Sequence, residues 1–180
     1  MKHKLSTATA MISCVFFLLS ACAGREETSG PILVELHHSK ESISLRGLHA
    51  TQDTVVIVGG SLGTIGVSTD AGLHWSFTKI EGAEESQFRS VWAHDSEHFI
   101  AVTSGAPSYI YSSRDAGEHW SRVYSDTAES TFLDGIVFLS DQVGYVFGDP
   151  VDGHFMWLET VNGGDTWTPG IGPESIDGAV

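Results

Sequence analysis

One octapeptide, present three times, decides the fold of this chain. The first copy reads Ser68-Thr69-Asp70-Ala71-Gly72-Leu73-His74-Trp75, and the others run from Ser113 to Trp120 and from Thr160 to Trp167. The three tryptophans lie 45 and 47 positions apart, a period typical of proteins built from repeated supersecondary units. The shared pattern, Ser/Thr-x-Asp/Asn-x-Gly-x-x-Trp, consists of Ser68, Asp70, Gly72 and Trp75, then Ser113, Asp115, Gly117 and Trp120, then Thr160, Asn162, Gly164 and Trp167.

Each residue type in the octapeptide has a physical role in a turn. The short side chain of Asp or Asn accepts backbone N–H bonds, and Gly adopts the positive φ that tight turns need. Trp then buries a large ring between strands or between repeats. The pattern therefore predicts a structural turn rather than a reactive site.

The segments around each octapeptide repeat as well. Two short apolar strands joined by a Gly-containing turn precede each copy, a further apolar strand lies upstream, and a fourth begins at the Trp. Four short strands per unit of this length are typical of a β-propeller blade. We predict an all-β propeller with four-stranded antiparallel blades at about 43–80, 87–126 and 131–171. The third unit is longer, which we assign to an extended turn over Gly148–Gly153.

Three blades are fewer than a closed ring requires, because propellers close with roughly four to eight. The partial propeller is predicted to occupy 32–180, and the lone strand 32–38 is expected to complete the last blade. We expect the chain to be the N-terminal part of a longer propeller. The alternative is a partial ring that closes by oligomerising, since three blades alone expose two open blade faces.

The N-terminus has the features of an export signal. Lys2 and Lys4 precede an apolar run over 8–19, which is shorter than a helix needs to span a bilayer. Leu19-Ser20-Ala21-Cys22 resembles the bacterial lipoprotein box, which implies a signal peptide at 1–21, a lipidated Cys22 and a flexible tether over 22–31. We expect a lipid-anchored protein of the bacterial cell envelope, at the outer membrane and facing the periplasm or cell surface.

Composition excludes several classes of function. The chain has 23 Asp and Glu against nine Lys and Arg, a net charge of −14, so a basic surface for nucleic acid is excluded. Both cysteines lie within the first 22 residues, which leaves no disulfide, thiol nucleophile or cysteine metal site for the predicted propeller. We predict no cofactor.

Two motifs that suggest chemistry are better explained as structure. Gly59-Gly60-Ser61-Leu62-Gly63 fits the nucleophile elbow of α/β-hydrolases, but that elbow needs a following helix, and here a strand follows. His74 and His119 occupy the same octapeptide position in successive blades. They therefore lie on separate blades and do not share a metal ion, and we predict no metal site and no catalytic residues.

Four charged residues are the candidates for binding. Arg46 and Arg89 each begin the first strand of a blade, where they could project into one central mouth and pair with an anion; an ion pair between blades is the alternative. Asp149 and Asp152 lie in the predicted turn of the third blade, where two carboxylates could hold a cation or a sugar hydroxyl. The alternative for these two is that they are ordinary turn residues.

The octapeptide resembles the Asp-box, or BNR repeat, of sialidases and other propellers, where it is a structural turn remote from the active site. Over roughly Ile32 to Thr168 the chain is similar to bacterial relatives of photosystem II stability/assembly factors, with Phe88–Val91 and Val143–Asp149 extending the likeness beyond the octapeptides. This resemblance implies a propeller of seven blades when whole, acting as a docking or assembly platform. It implies no photosynthetic role.

The resulting functional hypothesis is a binding or assembly platform for a protein or glycan rather than an enzyme. The alternative is a sialidase-like glycoside hydrolase whose catalytic residues lie mostly outside this chain. Sialidases also carry an Arg-Ile-Pro-type motif and a cluster of arginines, and this sequence has neither.

Overall fold

The computed structural model describes residues 42–176, which form twelve β-strands in three sheets. The predicted signal peptide, Cys22, the tether and strand 32–38 lie outside the described residues. The described part contains no α-helix, and none of its segments is a helix long and apolar enough to cross a membrane.

Each sheet is one blade of four consecutive strands. The first contains β1 (Leu45–Ala50), β2 (Val56–Gly60), β3 (Thr64–Ser68) and β4 (Ser76–Lys79). The second contains β5 (Gln87–Ala93), β6 (Phe99–Ser104), β7 (Ser108–Ser113) and β8 (Ser121–Asp126). The third contains β9 (Leu133–Phe138), β10 (Gly144–Val151), β11 (His154–Thr160) and β12 (Thr168–Pro169).

The strands of every blade follow in simple sequence order and pair antiparallel. Short turns suffice for such connections, so each blade is a local meander. Three four-stranded antiparallel sheets confirm the predicted fold class, an incomplete β-propeller.

The core lies between blades rather than within one. The first interface core joins blades one and two and includes Ile57, Ile65, Phe88 and Phe99. The second joins blades two and three and includes residues such as Ile100, Ile110, Val146 and Leu158. Strand β6 is buried almost throughout because its alternate residues enter the two cores. First strands approach closely: a Cβ on Gly47 would lie only 3.1 Å from the Ser90 Cα.

The octapeptides form three turns of the same design, each after the third strand of its blade. In the second, the Ser113 hydroxyl donates to Asp115 Oδ1 and accepts from the Gly117 N–H, while the His119 N–H donates to Asp115 Oδ1. Trp120 Nε1 donates to the Gly117 carbonyl at 3.1 Å. Trp167 is buried, whereas Trp75 and Trp120 are half-buried. The turns are thus closed by their own residues, as a structural role requires.

The third blade departs from prediction at its second hairpin. The extended turn expected over 148–153 is instead mostly strand, because β10 continues to Val151 and only Asp152 and Gly153 form the turn. The Asp149 N–H donates to the Phe132 carbonyl at 2.9 Å, which keeps the strand paired. A Cβ at Gly148 would collide with that carbonyl. The additional residues therefore lengthen two strands, and Asp149 does not share a turn with Asp152.

Candidate functional site at the bulge end of the first strands

The first strand of every blade carries a β-bulge at the same position. In blade one, Leu45 pairs with Gly60 and Gly47 with Gly59, so the bulge leaves Arg46 without a partner in the ladder. The same irregularity falls on Arg89 in blade two and on Asp134 in blade three. Bulges redirect a side chain and are frequent beside functional sites. Three charged residues therefore occupy one repeated and structurally distinct position.

These bulges lie at one end of the strands, which we call the bulge end. The β2–β3 turn is at this end, because the Ser61 N–H donates to the Ser44 carbonyl just before β1. The octapeptide turns lie at the other end, where the Ala71 N–H donates to the Thr54 carbonyl after β1. Arg46 and Asp152 are exposed at the bulge end.

Arg89 and Asp134 form an ion pair between neighbouring blades. Arg89 Nε lies 2.7 Å from Asp134 Oδ1. The Arg89 guanidinium carbon also lies 5.4 Å from the centroid of the Phe132 ring, within the range of a cation–π contact. The ion pair between blades that the sequence left as an alternative is thus present for Arg89, with Asp134 as its partner.

A second carboxylate modifies this pair. Burial raises the pKa of Asp134, and the Asp149 carboxylate raises it further, while Arg89 acts in the opposite direction. Asp149 is exposed on β10, and Asp134 lies on the adjacent strand β9. Three of the four candidate binding residues, Arg89, Asp149 and Asp152, therefore lie at the bulge end of blades two and three.

The opposite end carries a different set of charges. In the first two octapeptide turns, the Asp side chain meets the ring of the His four residues later, at 2.6 Å in both Asp70–His74 and Asp115–His119. The His119 N–H and the His119 ring lower the pKa of Asp115 to about 2, and Asp115 raises that of His119. The third turn has Asn162 and Thr166 in these places, joined by an uncharged hydrogen bond of 2.9 Å.

Asp115, Glu118 and His119 are the one group in the described part of the chain whose side chains could converge on a metal ion. All three lie on the octapeptide turn, and Glu118 and His119 are exposed. Asp115 and the His119 ring already bond to each other, so the contacts of the turn itself explain their closeness.

A histidine cluster links the three blades near this end. His49 Nδ1 of blade one accepts from the Ala93 N–H of blade two at 3.1 Å, and its ring lies 3.8 Å from that of Trp92. The His94 and His98 rings stack at 4.4 Å, and His94 meets Phe138 of blade three edge-on. Burial lowers the pKa of all three histidines, that of His98 to about 4.

Sequence reasoning missed this cluster. His49 and His94 lie one repeat of 45 residues apart, but His98 has no histidine counterpart in the first blade. The cluster forms only because the strands next to these residues pack across blade boundaries. A usable signal was the spacing of His49 and His94, which occupy the same place when the first two octapeptides are superimposed.

Comparison with known proteins identifies the fold and no family. No protein-family model matches the sequence, and no curated protein does. Among solved structures, the chain is similar to YCF48 bound to D1 peptide, with a TM-score of 0.56 and 17% identity over 69% of this chain. It is also similar to YCF48 from Cyanidioschyzon merolae, with a TM-score of 0.51 and 21% identity over 69% of this chain.

The chain spans only 39% of the length of each of these structures. At such identities the likeness shows the fold alone, and it agrees with the propeller resemblance drawn from the sequence.

Proposed function

We propose that this chain is a protein-binding platform whose contact surface is the bulge end of its blades. The observation that carries the proposal is the fold it shares with YCF48 bound to D1 peptide, a propeller structure that holds a peptide. A protein is favoured over a glycan because that relative carries a peptide.

The bulge end has the groups that peptide recognition needs. Exposed charges at Arg46, Asp149 and Asp152 supply both signs of charge within one surface, and the Arg89 guanidinium lies beside the Phe132 ring. The chain is strongly acidic as a whole. A partner with a basic contact surface would therefore be attracted at long range, and its association would weaken as salt is added.

Binding is favoured over glycoside hydrolysis because the similar solved structure holds a peptide. Such hydrolysis needs one carboxyl group free to act as acid and a second free to act on the sugar. Asp134, which has a raised pKa at the bulge end, is engaged by Arg89 at 2.7 Å. The pair engages Asp134 in the contact between blades two and three.

The proposal includes a lipid anchor at Cys22 that holds the platform on the extracytoplasmic side of a bacterial membrane. Its support is the sequence around Cys22. Cys22→Ser should move the protein from the membrane fraction to the soluble fraction and remove the lipid from its measured mass. Retention of the variant in the membrane fraction would exclude this mode of anchoring.

Photo-crosslinking in the native cell tests the binding surface. The photoreactive residue p-benzoylphenylalanine replaces Asp149, which is exposed at the bulge end, in one variant, and Glu118, which is exposed on an octapeptide turn, in the control. We expect a discrete adduct with a second protein from position 149 and none from position 118. An adduct confined to position 118, or none from position 149, would contradict the proposal.

A further inference from the structure

The contacts between neighbouring blades are held by different chemistry at their two ends. We call each contact a seam, and we call the end that carries the octapeptide turns the octapeptide end. In the half nearer the bulges, the Ile136 N–H donates to Ser90 Oγ at 3.1 Å and Arg89 pairs with Asp134. At the octapeptide end, the histidine cluster occupies both seams. Histidine is the side chain whose ordinary pKa lies closest to neutral pH.

The seam between blades one and two needs a neutral His49. His49 Nδ1 accepts the Ala93 N–H across this seam at 3.1 Å, so that nitrogen carries no proton while the bond exists. A proton on Nδ1 would set two donors against each other and leave the Ala93 N–H without its acceptor. Burial lowers the pKa of His49, and His94 lowers it further. Acid therefore breaks this bond between the two blades.

The seam between blades two and three is closed by the turn at 94–98. The His94 and His98 rings stack with their centroids 4.4 Å apart, and His98 is only 8% exposed. His94 meets Phe138 of blade three, and a Cβ on Gly163 would lie 3.6 Å from His98 Cε1. His94 Nε2 is buried and has no hydrogen-bond partner among the described residues. A proton there would be a buried donor without an acceptor, and two charged rings at this distance would repel each other.

The charged groups around these two rings do not offset the cost of protonation. Three carboxylates and one guanidinium face the rings: Asp95, Asp141, Asp165 and Arg114. The carboxylates favour a proton on the rings, whereas Arg114 opposes it, and burial opposes it most strongly. The pKa of His98 is lowered to about 4, and that of His94 is lowered as well. Both rings are therefore neutral at pH 7 and bind a proton more readily outside the seam.

A cavity beside the turn at 94–98 gives the rings room to leave the seam. Its volume is about 370 Å³, and its lining includes His94, His98 and the polar residues Asp141 and Gln142 of blade three. Asp141 is exposed. A charged imidazole that moves into the cavity therefore reaches water and a carboxylate, and both stabilise its charge.

We propose that mild acid opens the octapeptide ends of both seams while their bulge ends stay closed, so that neighbouring blades rotate apart about the bulge ends. The open state binds more protons than the closed state, and a lower pH therefore favours it. For His98 alone, a pKa of about 4 in the closed seam and about 6.5 in the open one raises the open population about 30-fold between pH 7.5 and pH 5. This inference does not depend on the proposed binding function.

Residue-resolved amide exchange of the full chain at pH 7.5 and pH 5, corrected for the intrinsic effect of pH, tests the proposal. The Ala93 and Gly163 amides report the octapeptide ends of the first and second seams, and the Ile136 amide reports the bulge half. We expect protection of the first two amides to fall about tenfold or more at pH 5, and protection of Ile136 to persist. Equal losses at all three amides, or no loss at Ala93 and Gly163, would overturn the proposal.

His98→Gln removes the ring with the lowest pKa, and His119→Gln is the matched control on an exposed octapeptide turn. The readout is the ratio of Gly163 protection at the two pH values, which a uniformly looser seam would not change. We expect this ratio to approach one in His98→Gln and to keep its original value in His119→Gln. A full pH response in His98→Gln, or its loss in His119→Gln, would contradict the assignment to the seam.

An NMR titration of the imidazole signals in the unaltered chain gives a second measurement that needs no variant. We expect His98 to titrate near pH 4 and His119 above its ordinary value. Titration of His98 near about 6.5, the value of a free histidine, would mean that its ring has no preference for the closed seam and would overturn the proposal.

Discussion

The middle blade and the third blade are built from equivalent strands, yet their burial differs sharply. Ile100, Val102 and Ile110 of blade two are fully buried. Their counterparts in blade three are Tyr145, Phe147 and Trp157, which remain partly exposed on larger side chains. The two middle strands pair antiparallel in both sheets. The difference shows that each blade is shaped locally by its meander, but that its apolar faces are buried only by its neighbours.

The largest expected effect comes from removing a side chain between blades. Phe88→Ala should lower the free energy of unfolding by about 3–5 kcal/mol, because Phe88 is fully buried in the first interface core and meets Tyr111 edge-on. Phe147→Ala, the matched change on the open face, should cost less than about 1 kcal/mol. Urea unfolding of dilute protein measures both. If both variants lost the same free energy of unfolding, burial between blades would not be what distinguishes Phe88 from Phe147.

The tryptophans of the octapeptide turns give the next comparison. Trp167 is buried in the second interface core, and Trp75 is half-buried. Both donate to the Gly carbonyl three residues before them. Trp167→Ala should therefore lower the free energy of unfolding by about 3–5 kcal/mol, and Trp75→Ala should lower it clearly less. Thermal unfolding would reveal the order, and a larger loss at Trp75 would contradict it.

The histidine cluster makes stability depend on pH. Because burial lowers the pKa of His49, His94 and His98, the folded chain binds fewer protons than the unfolded chain, whose histidines titrate near about 6.5. Their contribution is complete above that pH and is lost as pH falls from about 7 towards 4, by about 1.4 kcal/mol per pH unit for each extra proton bound on unfolding.

His98→Gln should flatten this decline in unfolding free energy, measured by urea titration across the pH range. His119→Gln is the opposite case, because Asp115 raises the pKa of His119. The contribution of His119 to the free energy of unfolding is present below about pH 6.5 and is lost as the pH rises through the raised pKa of His119. If His98→Gln left the slope between pH 7 and 4 unchanged, the cluster would not be the source of the acid sensitivity.

The smallest effect is expected at the bulge end. Arg89 and Asp134 are partly exposed, and a double-mutant cycle with Arg89→Met and Asp134→Asn should give a coupling of about 0.2–1 kcal/mol that shrinks with added salt. No coupling at low salt would mean that the pair contributes nothing to the contact between blades two and three.

The octapeptides contain enough information for the fold, because each turn is held by hydrogen bonds within the octapeptide itself. In the first copy the His74 N–H donates to Asp70 and Trp75 Nε1 donates to the Gly72 carbonyl. A turn of this kind, repeated at intervals of 45 and 47 residues, can be predicted directly from the sequence.

The candidate site depends on strand irregularities and on the packing of neighbouring blades, which a repeat in the sequence does not predict. Arg46 and Arg89 could be identified because each begins the first strand of its blade. The sequence does not predict the β-bulge that leaves each of them without a partner in the strand ladder. Asp134 was visible as the third member of that set, and its pairing with Arg89 depends on how neighbouring blades rotate. The strand at Asp149 was missed because Asp, Pro and Gly are ordinary turn residues.

Amide hydrogen exchange tests the central claim most directly, because β6 and β7 have the same place in their sheet as β10 and β11 in theirs. In dilute protein we predict the slowest exchange in β6 and β7, whose two faces are both covered by neighbouring blades. Strands β10 and β11 should exchange faster. Equal protection of the two pairs of strands would contradict the claim that neighbouring blades bury each other.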